Sequence, residues 1–195
     1  MNAKRVFLSM SAVGLAVGAT LVAPATVAAA DNGHGDGDTV RVQVRDRCDP
    51  ATFNAVIGPG ACVGSGGTTF NDFIGQLIAT HQATGWDFTP SRLEMERGDR
   101  IVARNTGGEF HSFTKVATFG GGCVDQLNAI LGLRPVPECS QFVMVNGKKV
   151  PKIAATGLLP GQTLKVRVGD AGTQRYQCLI HPWMQTVVQV ESDRG

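Results

Sequence analysis

The stretch Tyr176-Gln177-Cys178-Leu179-Ile180-His181-Pro182-Trp183-Met184 decides how the rest of the chain is read. A thiol, an imidazole and a thioether follow one another at three-residue steps, between two strand-like runs (Leu164–Val168 with Gln174–Cys178, and Thr186–Glu191). Three such side chains on one short loop between strands can converge on a point. One thiolate, imidazole and a weak thioether suit an electron-transfer copper site. Zinc would take the Cys and His but gains little from Met, and its structural sites favour several thiolates. Five Cys, four His and five Met in 195 residues give roughly 0.003 chance matches of this spacing per chain. Taken singly, each residue has an ordinary reading: Cys178 as an apolar core residue or half a disulfide, Met184 as core, His111 as a satisfied polar residue at a strand end. A copper site of this kind needs a second His, and His111 in Asn105-Thr106-Gly107-Gly108-Glu109-Phe110-His111-Ser112 supplies it. The four together favour one copper ion, cycling between Cu(II) and Cu(I), held by His111, Cys178, His181 and Met184.

The N-terminus reads as an export signal. Lys4 and Arg5 precede the mostly apolar Val6–Val27, and Ala28-Ala29-Ala30 offers a cleavage site, so residues 1–30 form a signal peptide. A retained anchor is the other reading of that run, disfavoured by Gly14, Gly18 and Pro24. No other stretch is long and apolar enough to span a bilayer. The expected location is periplasmic, cell-envelope or extracellular, without stable membrane insertion. Once Lys4 and Arg5 are removed, the chain is formally neutral, and no basic cluster argues for nucleic acid.

Five cysteines are an odd number for an exported chain. Cys48 and Cys62 flank one Gly/Pro-containing loop, and Cys123 and Cys139 flank another. Four cysteines allow three connectivities; pairing neighbours leaves Cys178 as a free thiol, as a ligand requires. Each closed loop stabilises by roughly 3 kcal/mol in the chain-entropy model.

Asp31–Asp38, with His34, reads as a polar lead-in. Thr39–Arg45 alternates Val40, Val42, Val44 against polar residues and predicts a half-buried strand. Arg47–Gly67 is expected as a stapled loop. Phe70, Phe73, Ile74, Leu77 and Ile78 make one apolar stripe, predicting a helix over Thr69–His81 that packs on the barrel, capped by Thr69 with Asp72 and stopped near Gly85. His81 at its end takes a structural role. Trp86–Glu96 and Arg100–Asn105 predict strands around Arg97-Gly98-Asp99, and His111–Val116 another. Residues 117–150 form a long connection with a Gly run at Gly120–Gly122 and a short helix at Val124–Leu131. Leu159-Pro160-Gly161-Gln162 is a type II turn. Many short strands with turn signals imply an all-β sandwich or barrel.

These motifs resemble the cupredoxins, the small blue-copper proteins, over roughly Trp86–Glu191. The Cys-x-x-His-Pro-x-Met loop is most like that of amicyanin, and plastocyanin is longer there. The resemblance implies a Greek-key β-sandwich with an added N-terminal helix and a stapled insertion. It divides the chain into signal peptide 1–30, an N-terminal strand, disulfide loop and helix over 31–85, and a copper-binding domain over 86–195 with insertion 117–150. Many cupredoxins carry Asn after the first His, tying the two ligand loops; Ser112 stands there, and Ser112 and Glu109 are the expected neighbours of the site. In that family the His of the C-terminal loop shows an edge in an apolar docking patch, implying Pro182, Trp183 and Phe110 here. The resemblance implies a single-electron carrier with transient redox protein partners, expected as a monomer. Copper delivery is the alternative. An enzyme would need a second copper centre, and only His34 and His81 remain as spare imidazoles.

Overall fold

The computed structural model describes residues 37–192; residues 1–30, expected as a signal peptide, and His34 lie outside them. Twelve strands carry the fold among the described residues. The first sheet contains β1 (Thr39–Arg45), β2 (Asp87–Thr89), β4 (Arg100–Asn105) and β10 (Thr163–Arg167) in the order β10-β4-β1-β2. The second contains β3 (Arg92–Glu96), β6 (Thr114–Val116), β11 (Gly172–Gln177) and β12 (Gln185–Glu191) in the order β3-β12-β11-β6. Two pairs are parallel, β1 with β4 and β12 with β3; the other pairs in these sheets are antiparallel. Two small antiparallel pairs join β5 (His111–Ser112) to β9 (Gly157–Leu158) and β7 (Phe142–Val145) to β8 (Lys148–Pro151).

The alternation in the strands explains the sandwich. Val42 and Val44 of β1, Ile101 and Ala103 of β4, Leu93 and Met95 of β3, and Val188 and Val190 of β12 all point into one buried cluster. Phe113 bridges the sheets, stacked on Tyr176 at 4.7 Å and tilted against Phe88 at 5.1 Å. The all-β sandwich expected from the strand pattern is therefore the fold observed. β1 lies inside the first sheet, between β4 and β2, so the N-terminal segment is part of the sandwich itself.

Several elements differ from the sequence reading. The predicted strand Trp86–Glu96 breaks at Thr89-Pro90, and β2 and β3 belong to opposite sheets. Proline has no N–H to continue a ladder, so the chain changes sheet there. Phe113 divides His111–Val116 in the same way, with β5 pairing β9 and β6 pairing β11. The stapled loop contains a helix, α1 (Pro50–Val56), started by Asp49, whose side chain accepts from Thr52 N at 3.0 Å, with Pro50 in the first turn. Helix α2 (Phe70–Thr80) is capped by Thr69, which accepts from Asp72 N at 3.1 Å. Its stop is His81 itself, in the left-handed region at φ 58°, and not Gly85. Ile78 of the apolar stripe is solvent-exposed, while Phe73 and Leu77 are buried. In the insertion, α3 (Asp125–Leu131) forms as expected. The hairpin β7–β8 turns at Asn146 and Gly147, both at positive φ, and α4 (Lys152–Ala155) follows it. Both disulfides join sequence neighbours, Cys48–Cys62 and Cys123–Cys139, and Cys178 is free and buried. Among the described residues, no helix is long and apolar enough to cross a membrane.

An aromatic cluster fixes the helices to the sandwich. Phe53 of α1 meets Phe70 and Phe73 of α2 edge-on, and stacks on Trp86 at 6.0 Å. Phe53 is fully buried, so Phe53→Ala should destabilise the protein by about 3–5 kcal/mol. Urea unfolding measures this; a loss below about 1 kcal/mol would mean that α1 is not held by this cluster.

Candidate metal centre

Three side chains meet at one end of the sandwich. His111 begins β5, Cys178 directly follows β11, and His181 lies on the loop before β12. Cys178 Sγ stands 3.8 Å from His111 Nδ1 and 3.9 Å from His181 Nδ1, and the two Nδ1 atoms are 3.2 Å apart. A point equidistant from atoms at those separations lies about 2.1 Å from each, within the range of metal–nitrogen bonds and just short of metal–thiolate bonds. All three residues are buried, at 0%, 0% and 3% exposure for His111, Cys178 and His181. The donor set and its spacing fit a small transition-metal ion.

The loop closes by backbone bonds. Cys178 N donates to Met184 O at 3.1 Å, and Met184 N donates to His181 O at 2.9 Å. Met184 is fully buried in the same core cluster as Cys178. Ser112 ties the two ligand segments: Leu179 N donates to Ser112 Oγ at 2.8 Å, and Ser112 N points at Cys178 Sγ at 3.5 Å. His181 N points at the same sulfur at 3.4 Å. Asn105 shapes the approach to His111. Its side-chain amide donates to Glu109 O and Leu158 O, and its carbonyl accepts from Gly107 N.

The electrostatics follow from this packing. Burial alone pushes the Cys178 thiol up, but the hydrogen bonds and positive charge of His111 and His181 hold it well below its ordinary value. Burial likewise opposes charge on His111, yet Asp46 and Cys178 raise it to about 9. Asp46, at the end of β1, is desolvated, but its bond from His111 and two backbone N–H groups lower it to about 2. His111 Nε2 donates to Asp46 Oδ2 at 2.9 Å, so the carboxylate fixes the ring with Nδ1 inward. Glu109 behaves differently, since burial raises its carboxyl above the usual value. Its Oε2 accepts from Trp86 Nε1 at 2.6 Å and lies 3.8 Å from His181 Nε2.

Asp46 and Trp86 were not among the residues the sequence singles out for the site. Nothing local marks Asp46, since its role arises only when β1 is placed beside the Gly107–Glu109 turn. The apolar patch implied by the family resemblance is not an open surface. Pro182 is buried, Trp183 is half-buried, and only Phe110, at 37%, is exposed. Helix α2 covers His181 and Trp183, its Phe73 packing edge-on against His181 at 6.1 Å and tilted against Trp183 at 5.9 Å. His81 is exposed at the end of α2 and is not in the ligand cluster. The insertion abuts the site: Cys123 N donates to Leu179 O, and Gly122 lies so close to Leu179 that a Cβ would meet its carbonyl oxygen at 2.5 Å.

No family model matches the chain, and no curated protein matches it. Its structural neighbours include a purple cupredoxin from Nitrosopumilus maritimus (17% identity, TM-score 0.36, covering 56% of this chain and 86% of that one). They also include a mutant of amicyanin in its Cu(I) form (18% identity, TM-score 0.34, covering 56% and 76%). A third is oxidised plastocyanin from Dryopteris crassirhizoma (13% identity, TM-score 0.35, covering 78% and 100%). At similarities this low, the reading of the site rests on its own geometry.

Two outcomes follow from the site. Asp46→Ala removes the carboxylate that orients His111 and should lower copper affinity about 10- to 100-fold by competition titration; unchanged affinity would mean that the sandwich alone sets the ring. In the copper-free chain, the raised His111 holds a proton that an unfolded chain releases above 6.5, and the lowered Cys178 has lost one that an unfolded chain keeps up to 9.0. These two contributions oppose one another between those values. Copper-free Cys178→Ser loses the Cys178 contribution and keeps the part of the His111 contribution that Asp46 supplies, which is full below 6.5 and lost as pH rises through the folded value. Its stability relative to wild type should therefore fall from pH 6.5 upward; parallel pH profiles by thermal unfolding would contradict the coupling.

Proposed function

We propose that this chain is an exported type 1 copper protein that carries single electrons between redox partners. The observation that carries this reading is the buried triangle of two Nδ1 atoms and one thiolate sulfur at the spacing of a single metal ion. Copper bound there would supply a one-electron couple. His111, Cys178 and His181 would hold it, with Met184 as the weak fourth ligand. The protein's own part is rigidity. Ser112 locks the two ligand segments together, two backbone N–H groups face the sulfur, and Asp46 fixes His111 from outside. A site whose ligands cannot relax changes little between oxidation states, which keeps electron transfer fast.

Carriage, rather than catalysis at the metal, is supported by the ligand set: all three donor atoms are buried, and the described residues hold no second His cluster. Burial also favours retention over delivery, since an exchangeable site offers its ligands to the partner. Two disulfides support export to an oxidising compartment. The redox partner is a transient one, and the chain works as a monomer.

The test is visible absorption and EPR of the chain loaded with Cu(II), beside Cys178→Ser. The carrier reading expects a strong thiolate-to-copper band and narrow copper hyperfine splitting, both lost in the variant. A colourless protein that binds Cu(I) and refuses Cu(II) would replace it with copper delivery.

A further inference from the structure

The insertion leads into a hairpin that the sandwich does not absorb. Strands β7 and β8 form a two-stranded sheet of their own, paired from Phe142 with Pro151 to Val145 with Lys148 and turned at Asn146 and Gly147. None of its strand residues is buried. It is tied on at its base, where Lys152 N donates to Gln141 O at 2.8 Å and α4 follows. A two-stranded hairpin by itself is marginally stable in water, and apolar side chains left in solvent add nothing to it. Phe142, Met144 and Val145 are nevertheless exposed at 54%, 67% and 42%.

Two features say what covers them. The first is charge. Residues 139–169 contain no Asp or Glu, and their basic residues are Lys148, Lys149, Lys152, Lys165 and Arg167. Lys148 and Lys149 are exposed on the hairpin and have no acidic partner among the described residues. Lys149 Nζ instead lies over the Phe142 ring at 4.8 Å. Glu138, the acid that precedes the hairpin, is buried and accepts from Ala117 N. The complementary occupant is therefore anionic. The second feature is the distribution over two faces. The pairing puts Phe142, Met144 and Lys149 on one face of the ribbon, and Val145 and Lys148 on the other. A protein partner covers one face of such a ribbon and leaves the other in water. The interfacial layer of a bilayer closes around both. Apolar side chains enter it, while lysines lay their stems along it and keep their ammonium groups at the phosphates.

We propose that the β7–β8 hairpin is a reversible anchor for an anionic phospholipid surface. Phe142, Met144 and Val145 enter at headgroup depth, and Lys148 and Lys149 meet the lipid phosphates. The anchor holds the chain on a bilayer without spanning it, and it stands independently of the copper reading.

Co-sedimentation of the purified chain with phosphatidylcholine vesicles, with and without an equal part of phosphatidylglycerol, tests this. Binding to the anionic vesicles should be more than about tenfold tighter, and should weaken as salt rises from about 0.05 to 0.5 M. Lys148→Gln with Lys149→Gln should weaken it by roughly fivefold per lysine. Phe142→Ser with Met144→Ser should weaken it by about tenfold or more and keep the salt dependence. All four side chains are exposed, so both variants should unfold thermally close to wild type. Comparison with wild type prepared identically separates the hairpin from any binding by residues 1–30. Equal binding to the two kinds of vesicle, binding to neither, or binding that both variants leave unchanged would overturn the proposal. Weakening by the lysine pair alone would mean charge without insertion, the pattern of contact with an acidic protein, and would overturn it too.

Discussion

A buried thiolate is the constraint on which the structure depends. An unpaired charge in a protein interior costs several kcal/mol, and Cys178 is fully buried. The chain meets that cost with opposite charge and with dipoles. Two imidazoles approach the sulfur through Nδ1, and the N–H groups of Ser112 and His181 point at it from the backbone. These contacts come from three separated places in the sequence, the end of β11, the start of β5 and the loop before β12. They coincide only because the sandwich brings one end of each element together. The same set of donors that holds a thiolate in the copper-free protein is the set that would hold a metal ion.

Around this centre the two imidazoles are treated differently. His111 is locked from behind by Asp46, a short charge-assisted bond in a fully enclosed place. His181 faces Glu109 at a longer distance and opens toward the helical groove. One ring is a fixed anchor and the other is the side from which the centre can be reached. The helices thus give the surface at His181 the shape of an apolar groove. The insertion contributes from the other side, where Cys123 and Gly122 hold the backbone of Leu179 next to the thiolate.

Much of this was legible in the sequence, for local reasons. The Cys-x-x-His-x-x-Met spacing is a loop-scale signal, and period-two alternation in Thr39–Arg45 and Thr186–Glu191 needs no knowledge of partners. The Thr69 cap and the Pro160-Gly161 turn carry their own chemistry, and Gly161 indeed has a positive φ. What the sequence hid depends on contacts between distant segments. Asp46 is an ordinary acid after a strand until β1 lies beside the Gly107–Glu109 turn. The covering of His181 and Trp183 follows from where α2 docks, which its stripe of Phe70, Phe73 and Leu77 does not specify. Reading 117–150 as one long connection also passes over Asn146-Gly147, a strong hairpin signal, and reading Arg47–Gly67 as plain loop passes over the Asp49-Pro50 helix start.

X-ray absorption at the copper edge, on the chain loaded with one equivalent of Cu(II), measures the central claim most directly. The account predicts a first shell of two nitrogen donors and one short sulfur, unchanged in number on reduction to Cu(I), with the sulfur lost in Cys178→Ser. A shell of nitrogen and oxygen alone, with Cys178 present and reduced, would show that the thiolate and the two imidazoles do not share a metal, and would contradict the account.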